Sequence, residues 1–163
     1  MSDDARDRLV AHIRGAQERW RTLVADVGPE RMEQPGAMGE WTFKDVAVHL
    51  TTWRRRTIGL LQAAARGEPR PPNPWPAELG EEEDNTINAW IHEQTADRPV
   101  ADVLGEADSV YDDFVAAVEA LPSNLLTDPN AFEWMEGVAL ADGDFTGHLD
   151  EHEPGVRGWL AES

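Results

Sequence analysis

Residues 41–53, WTFKDVAVHLTTW, decide the fold. The hydroxyl of Thr42 can cap a helix, and Asp45, three residues later, stands where a capping box places an acid. Apolar residues then recur at the spacing of one helix face. They are Val46, Leu50, Trp53, Leu60, Leu61 and Ala64. This stretch therefore predicts an amphipathic helix that ends at Gly67.

The same periodicity appears in three other long segments, residues 2–27, 99–121 and about 142–160. A short helix is predicted after Asp84, with Ile87, Trp90 and Ile91 on its apolar face. Pro154 lies inside the last segment, where it predicts a kink. Because no stretch alternates apolar and polar residues, the sequence does not indicate a sheet.

The connection between the second and third long helices is unusually long. Residues 68–83 are rich in Pro and Glu, so their first part is expected to be extended and stiff. Two parallel neighbours joined by a crossover would need this length. We therefore predict an all-α fold, an antiparallel four-helix bundle with one long crossover, as a single domain over residues 1–163.

Composition excludes several classes of function. The chain has 32 Asp plus Glu against 14 Lys plus Arg, a net charge of -18, which disfavours nucleic acids and anionic membranes. It has no cysteine, so thiolate metal sites and a cysteine nucleophile are excluded. The acidic first residues do not resemble a signal peptide, and no apolar run is long enough to span a membrane. These features favour a cytoplasmic protein.

Three histidines carry the candidate chemistry. His148 and His152 are four residues apart on one predicted helix, a spacing that suits either a shared metal ion or a solvated surface. His49 lies at the edge of the apolar face of the second helix, where it could reach the same ion or bond to a backbone carbonyl. Imidazole nitrogens suit zinc, nickel, copper or iron. Ring nitrogens more than ~5 Å apart would exclude a shared ion, because bonds to zinc are only ~2 Å long.

Other residues are candidates by their position relative to these histidines. Asp45 and Asp144 each precede a candidate ligand by one turn and could orient its ring, or could simply favour a helix start. Trp53 could form a wall of the pocket, and His92 could line it. The basic run 54–56 could pair with nearby acids or hold an anionic substrate.

Two segments resemble the DinB/YfiT-like superfamily. Residues 41–53 are similar to its second-helix signature, and residues 148–160, HLDEHEPGVRGWL, are similar to its last helix. The resemblance implies a four-helix bundle with an overhand crossover. It also implies a three-histidine site for zinc or nickel, formed here by His49, His148 and His152.

The resemblance also implies a range of reactions. Members include transferases and isomerases that use mycothiol, bacillithiol or glutathione, and a branch called ClbS/DfsB that contains a self-resistance hydrolase. Residues 85–90 resemble a segment of that branch and of the mycothiol-dependent maleylpyruvate isomerases, which places Asn85 and Asn88 in the pocket.

Two kinds of function follow from these observations. The first is an enzyme in which a divalent metal activates water or a low-molecular-weight thiol, such as mycothiol, against a small electrophilic molecule. The alternative is a non-catalytic bundle that binds a metal or a small molecule, or a scaffold of stress response or self-resistance. The expected partner is a small molecule, and pairing of two copies through a helix face is compatible with the sequence. No individual catalytic residue can be assigned.

Overall fold

The structure is a computed structural model that describes residues 2–79, 84–143 and 147–162. For six of these residues it gives only the backbone: Ser2, Asp3, Asp84, Asn85, Gly147 and His148. The described helices are α1 (Ser2–Val27), α2 (Phe43–Ala65), α3 (Asp84–Thr95), α4 (Val100–Glu119), α5 (Ser123–Thr127) and α6 (Gly147–Glu162). Two short strands, β1 (Pro35–Met38) and β2 (Trp41–Thr42), lie between α1 and α2.

The four long helices α1, α2, α4 and α6 form a bundle. Helix α4 packs against both α1 and α2, and α6 also contacts both of them, so the order around the bundle is α1, α4, α2, α6. The prediction of an all-α four-helix bundle is confirmed. The short helix α3 packs on α2 from outside this ring.

Side-chain contacts give the direction of α2 relative to α4. At the start of α2, Lys44 Nζ donates to the carbonyl of Ala96, just before α4 begins, at 2.8 Å. Three turns later, Arg55 pairs with Asp113 in the second half of α4. The two neighbours are therefore parallel, and residues 66–99 return the chain to the end of the bundle where α2 begins.

Helix α1 is antiparallel to α4 and parallel to α6. Near the start of α1, Arg6 Nη2 donates to the carbonyl of Leu121 at 2.7 Å, just beyond the end of α4. Near the ends of both α1 and α6, Arg157 pairs with Asp26. The bundle is therefore up-down-down-up, and the predicted antiparallel arrangement holds for only two of its four adjacent helix pairs.

The start of α2 has the capping box that the sequence predicts. Thr42 Oγ1 accepts a hydrogen bond from the backbone N–H of Asp45 at 3.1 Å, and Asp45 Oδ2 accepts from the N–H of Thr42 at 3.0 Å. The two bonds satisfy backbone donors that a helix start leaves without partners. They also fix where α2 begins, and with it the position of His49 on the helix.

The two-stranded ribbon was not predicted. Strands of four and two residues are too short to show an alternating pattern, and Gly36 and Gly39 in and between them indicate a loop. Gly36, in β1, has φ +119°, and a Cβ there would lie 2.8 Å from the ring of Trp159. Glycine is therefore required where β1 meets α6.

The last helix begins later than the sequence indicates. Residues 140–142 form a single 3₁₀ turn, and the described part of α6 is Gly147–Glu162. Within α6, Leu149 and Val156, two apolar residues of the predicted segment, are buried, and Pro154 lies inside the helix. Phe145, a further apolar residue of the segment predicted over about 142–160, lies outside the described residues. Among the described helices, none is long and apolar enough to cross a membrane.

Candidate metal centre

His49 is held in one orientation by a residue of α3. Its side chain is buried, with 5% of its surface exposed, and its Nδ1 lies 2.9 Å from Asn88 Oδ1. The same oxygen accepts from Trp53 Nε1 at 3.2 Å. Since an indole N–H can only donate, the amide oxygen of Asn88 must face both rings. His49 therefore carries its proton on Nδ1, and its Nε2 presents a lone pair.

That lone pair faces the second candidate ligand. His49 Nε2 and His152 Nε2 are 3.2 Å apart, although 103 positions separate the two residues. Two nitrogens on a tetrahedral zinc ion, with bonds of ~2.0–2.1 Å, lie about 3.3 Å apart. The observed separation suits a shared ion, and it also suits a hydrogen bond between the rings when no ion is bound.

Burial keeps this pair of histidines uncharged. The pKa of His49 is lowered to about 4, mainly by loss of solvent on burial, with the Asn88 hydrogen bond opposing the shift and His152 adding to it. Burial also lowers the pKa of His152. Neutral imidazole is the form that binds a metal ion, so both rings are in the ligand form at pH 7.

Three of the predicted site residues cannot be placed. Asp144 lies outside the described residues, and the side chains of Asn85 and His148 lie outside the described side chains. Among the side chains that are described, no group of three His, Cys, Asp or Glu residues could hold a metal ion. The predicted set of three histidine ligands, His49, His148 and His152, therefore stays a prediction.

Asp45 caps the start of α2 and contacts His92 rather than His49. Its Oδ2 caps α2, and its Oδ1 lies 2.9 Å from Nδ1 of His92 on α3. His92 and Asn88 are one turn apart on α3, and they contact Asp45 and His49, which are one turn apart on α2. The two helices are thus linked side by side, and it is Asn88 that orients the ring of His49.

Tryptophan rings line this region. His49 packs edge-on against Trp41 and Trp53, at ring-centroid distances of 5.7 and 6.3 Å. Trp75, from the proline-rich connection, packs on Trp53 at 4.7 Å and is buried. The sequence predicts Trp53 as a wall of the pocket. The positions of Trp41 and Trp75 depend on how the ribbon and the connection fold, which local periodicity does not reveal.

The three arginines at 54–56 have three different environments. Arg54 is buried, with its guanidinium carbon 4.6 Å from the ring centre of Tyr111. Arg55 pairs with acids of α4, as expected for a solvated helix face. Arg56 lies over the ring of Trp53 at 5.9 Å. The run is therefore not a single basic surface.

Comparison with known proteins agrees with this architecture. Residues 13–154 match the family model described as the mycothiol maleylpyruvate isomerase N-terminal domain. No curated protein and no solved structure matches the chain. The matched segment spans most of the sequence, from the middle of α1 to the middle of α6. The chain therefore belongs to the family of mycothiol maleylpyruvate isomerase N-terminal domains, within the DinB/YfiT-like superfamily.

Proposed function

We propose that His49, His148 and His152 bind one divalent metal ion, zinc or nickel, and that the protein is a metal-dependent enzyme. The reaction would be attack of water or a low-molecular-weight thiol on a small electrophilic molecule, by transfer, isomerisation or hydrolysis. The observation that carries this proposal is the 3.2 Å separation of His49 Nε2 and His152 Nε2.

The chemistry of the two described ligands fits such an ion. Both are imidazoles, which suit zinc and nickel, and burial keeps both neutral. A hydrogen bond from the second ring nitrogen to an oxygen acceptor is the usual support for a metal-binding histidine. Asn88 gives His49 that support. Three histidine ligands would leave a coordination position open, as catalytic sites require.

The chain itself contributes orientation and exclusion of water. A bound ion would supply Lewis acidity, which lowers the pKa of a water or thiol nucleophile. Asn88 holds the ring of His49 so that Nε2 faces His152. The rings of Trp41 and Trp53 cover two sides of His49 and limit the access of bulk water to it.

A thiol nucleophile would have to come from outside the protein, because the chain contains no cysteine. The family description names mycothiol, which supports a low-molecular-weight thiol of this kind as the second substrate. Such thiols are kept reduced in the cytoplasm, where we place the protein.

Metal analysis of untagged protein tests the site. We expect about one zinc or nickel ion per chain, lost in His49→Ala and in His152→Ala. His12→Ala is the matched control, since His12 is an exposed histidine of α1. Equal metal content in wild-type protein and His152→Ala would overturn the proposed site.

A rate assay tests the enzymatic part separately. Small electrophiles, including haloaromatic compounds, would be incubated with mycothiol, bacillithiol, glutathione or water alone. We expect turnover that a chelator removes and that added zinc or nickel restores. Bound metal with no turnover over the whole panel would favour a binding protein instead of an enzyme.

A further inference from the structure

We propose that a second cleft, between the end of α1 and the start of α4, binds a small organic cation with an apolar body. This cleft is separate from the histidine centre. Residues of α1, of α4 and of the turn that follows α1 line it, and none of its lining residues belongs to α2, α3 or α6.

The shape of the cleft suits a small molecule. Its volume is about 500 Å³, within the range of ~300–1,000 Å³ typical of ligand pockets. Val24 of α1 faces Val100 and Leu104 of α4 across it, and the buried side chain of Met32 also lines it. These side chains offer apolar contact to a hydrocarbon or aromatic body.

The charges at the cleft favour a positively charged ligand. Glu30 and Glu33 line it, and its lining residues include no Lys, Arg or His. Lys44 Nζ lies 3.6 Å from Glu33 Oε1 and offsets that carboxylate, whereas Glu30 forms no ion pair among the described residues. With a net charge of -18 on the chain, the cleft repels anions and attracts an ammonium group.

Three probes with the same body and different head groups test this inference on the chain of residues 1–163. They are 4-phenylbutylamine, 4-phenylbutan-1-ol and 4-phenylbutanoate. Calorimetry at low salt would measure affinity, and methyl NMR shifts of Met32 and Leu104 would locate the bound probe. We expect the amine to bind at least about tenfold more tightly than the carboxylate, with added salt narrowing the difference.

Two sets of variants distinguish binding at the cleft from general attraction of the amine to an acidic surface. Leu104→Trp fills the cleft and should abolish binding of both the amine and the alcohol. Glu30→Gln combined with Glu33→Gln should weaken amine binding about two- to fivefold and leave the alcohol unchanged. The matched control is Glu133→Gln with Glu136→Gln, which removes two exposed charges elsewhere and should change neither affinity.

Several outcomes would overturn the inference. Equal affinity for the amine and the carboxylate would overturn it. An equal loss of amine affinity in the cleft double variant and in the control double variant would also overturn it. If no probe binds and Leu104→Trp turns a dimer into a monomer, the cleft is an interface between two copies of the chain. If Leu104→Trp does not fold, the two double glutamine variants at exposed positions still test whether the amine binds at the cleft. His152→Ala should bind the amine normally, so a failure of the metal site leaves this inference testable.

Discussion

Replacing Asn88 with Ala should weaken metal binding without touching any proposed ligand. Its side-chain oxygen accepts from His49 Nδ1 at 2.9 Å and from Trp53 Nε1 at 3.2 Å. After the substitution neither donor has this acceptor, and the ring of His49 is free to rotate or to change its tautomer. The lone pair on Nε2 would then point toward His152 for only part of the time.

The expected magnitude follows from these two bonds. Loss of the acceptor behind a ligand histidine typically lowers metal affinity ~10–100-fold, or about 1.4–2.8 kcal/mol. The metal-free protein should lose a further ~1 kcal/mol of stability for each donor that water only partly satisfies. Competition with a zinc chelator measures the affinity, and urea denaturation of chelator-treated protein measures the stability.

Two companion variants make the result interpretable. Asn88→Asp keeps an acceptor for both donors and should bind zinc at least as tightly as the wild type. Thr86→Ala changes an exposed residue of the same helix and should alter neither quantity. If Asn88→Ala bound zinc within about twofold of the wild type, Asn88 would not orient the ligand and our interpretation of its hydrogen bonds would be wrong.

Three further predictions concern stability. Arg54→Met should raise the free energy of unfolding by about 1 kcal/mol or more, because it removes a buried cation whose Nη2 has no hydrogen-bond partner and keeps a similar volume. Arg54→Ala should lower the free energy of unfolding, because it leaves a cavity. Denaturant titration compares the two variants. Gly36→Ala should destabilise the protein by about 1–3 kcal/mol, because φ is +119° and the new Cβ would lie 2.8 Å from Trp159. Gly15→Ala, with open space around the new Cβ, should not destabilise it. Thermal melts in which both variants behaved alike would contradict this prediction. In the presence of a chelator, His49 has a pKa near 6.5 in the unfolded chain and a pKa of about 4 in the folded protein. Lowering the pH from about 6.5 toward 4 should therefore remove up to about 3 kcal/mol of stability, because the unfolded state binds the proton first. His49→Gln should flatten that slope in denaturation curves recorded across this range.

The parts of the fold that local chemistry controls could be predicted from the sequence. The Thr42–Asp45 capping box and the start of the third long helix after Pro99 are both present, because a cap depends on residues within one turn. The length of the connection after α2 likewise indicated a parallel neighbour. The ribbon before α2 could not be predicted, since strands this short depend on packing against α6 rather than on their own pattern.

The sequence singled out the two described histidines of the candidate site, but it did not identify every residue that contacts them. His49 stood out by its place on the apolar face of α2, and His152 by its spacing from His148. Asp45, one turn before His49, had two interpretations from the sequence: a residue that orients His49, or an acid that favours the helix start, which the capping box confirms. The structure places α3 beside them, and Asn88 orients His49. Sequence spacing reveals contacts within a helix, whereas contacts between helices depend on how the chain folds.

The position of α3 gives the long connection a physical role. Two hydrogen bonds of 2.9 Å, from His49 to Asn88 and from His92 to Asp45, join residues one turn apart on α2 to residues one turn apart on α3. They fix the register of the two helices, and only one register places the amide oxygen behind the ring of His49. A shift of α3 by a single residue would rotate Asn88 by about 100° around its helix and remove that support. The connection must therefore be long enough to let α3 settle in this register, and the orientation of His49 depends on that docking as much as on α2 itself.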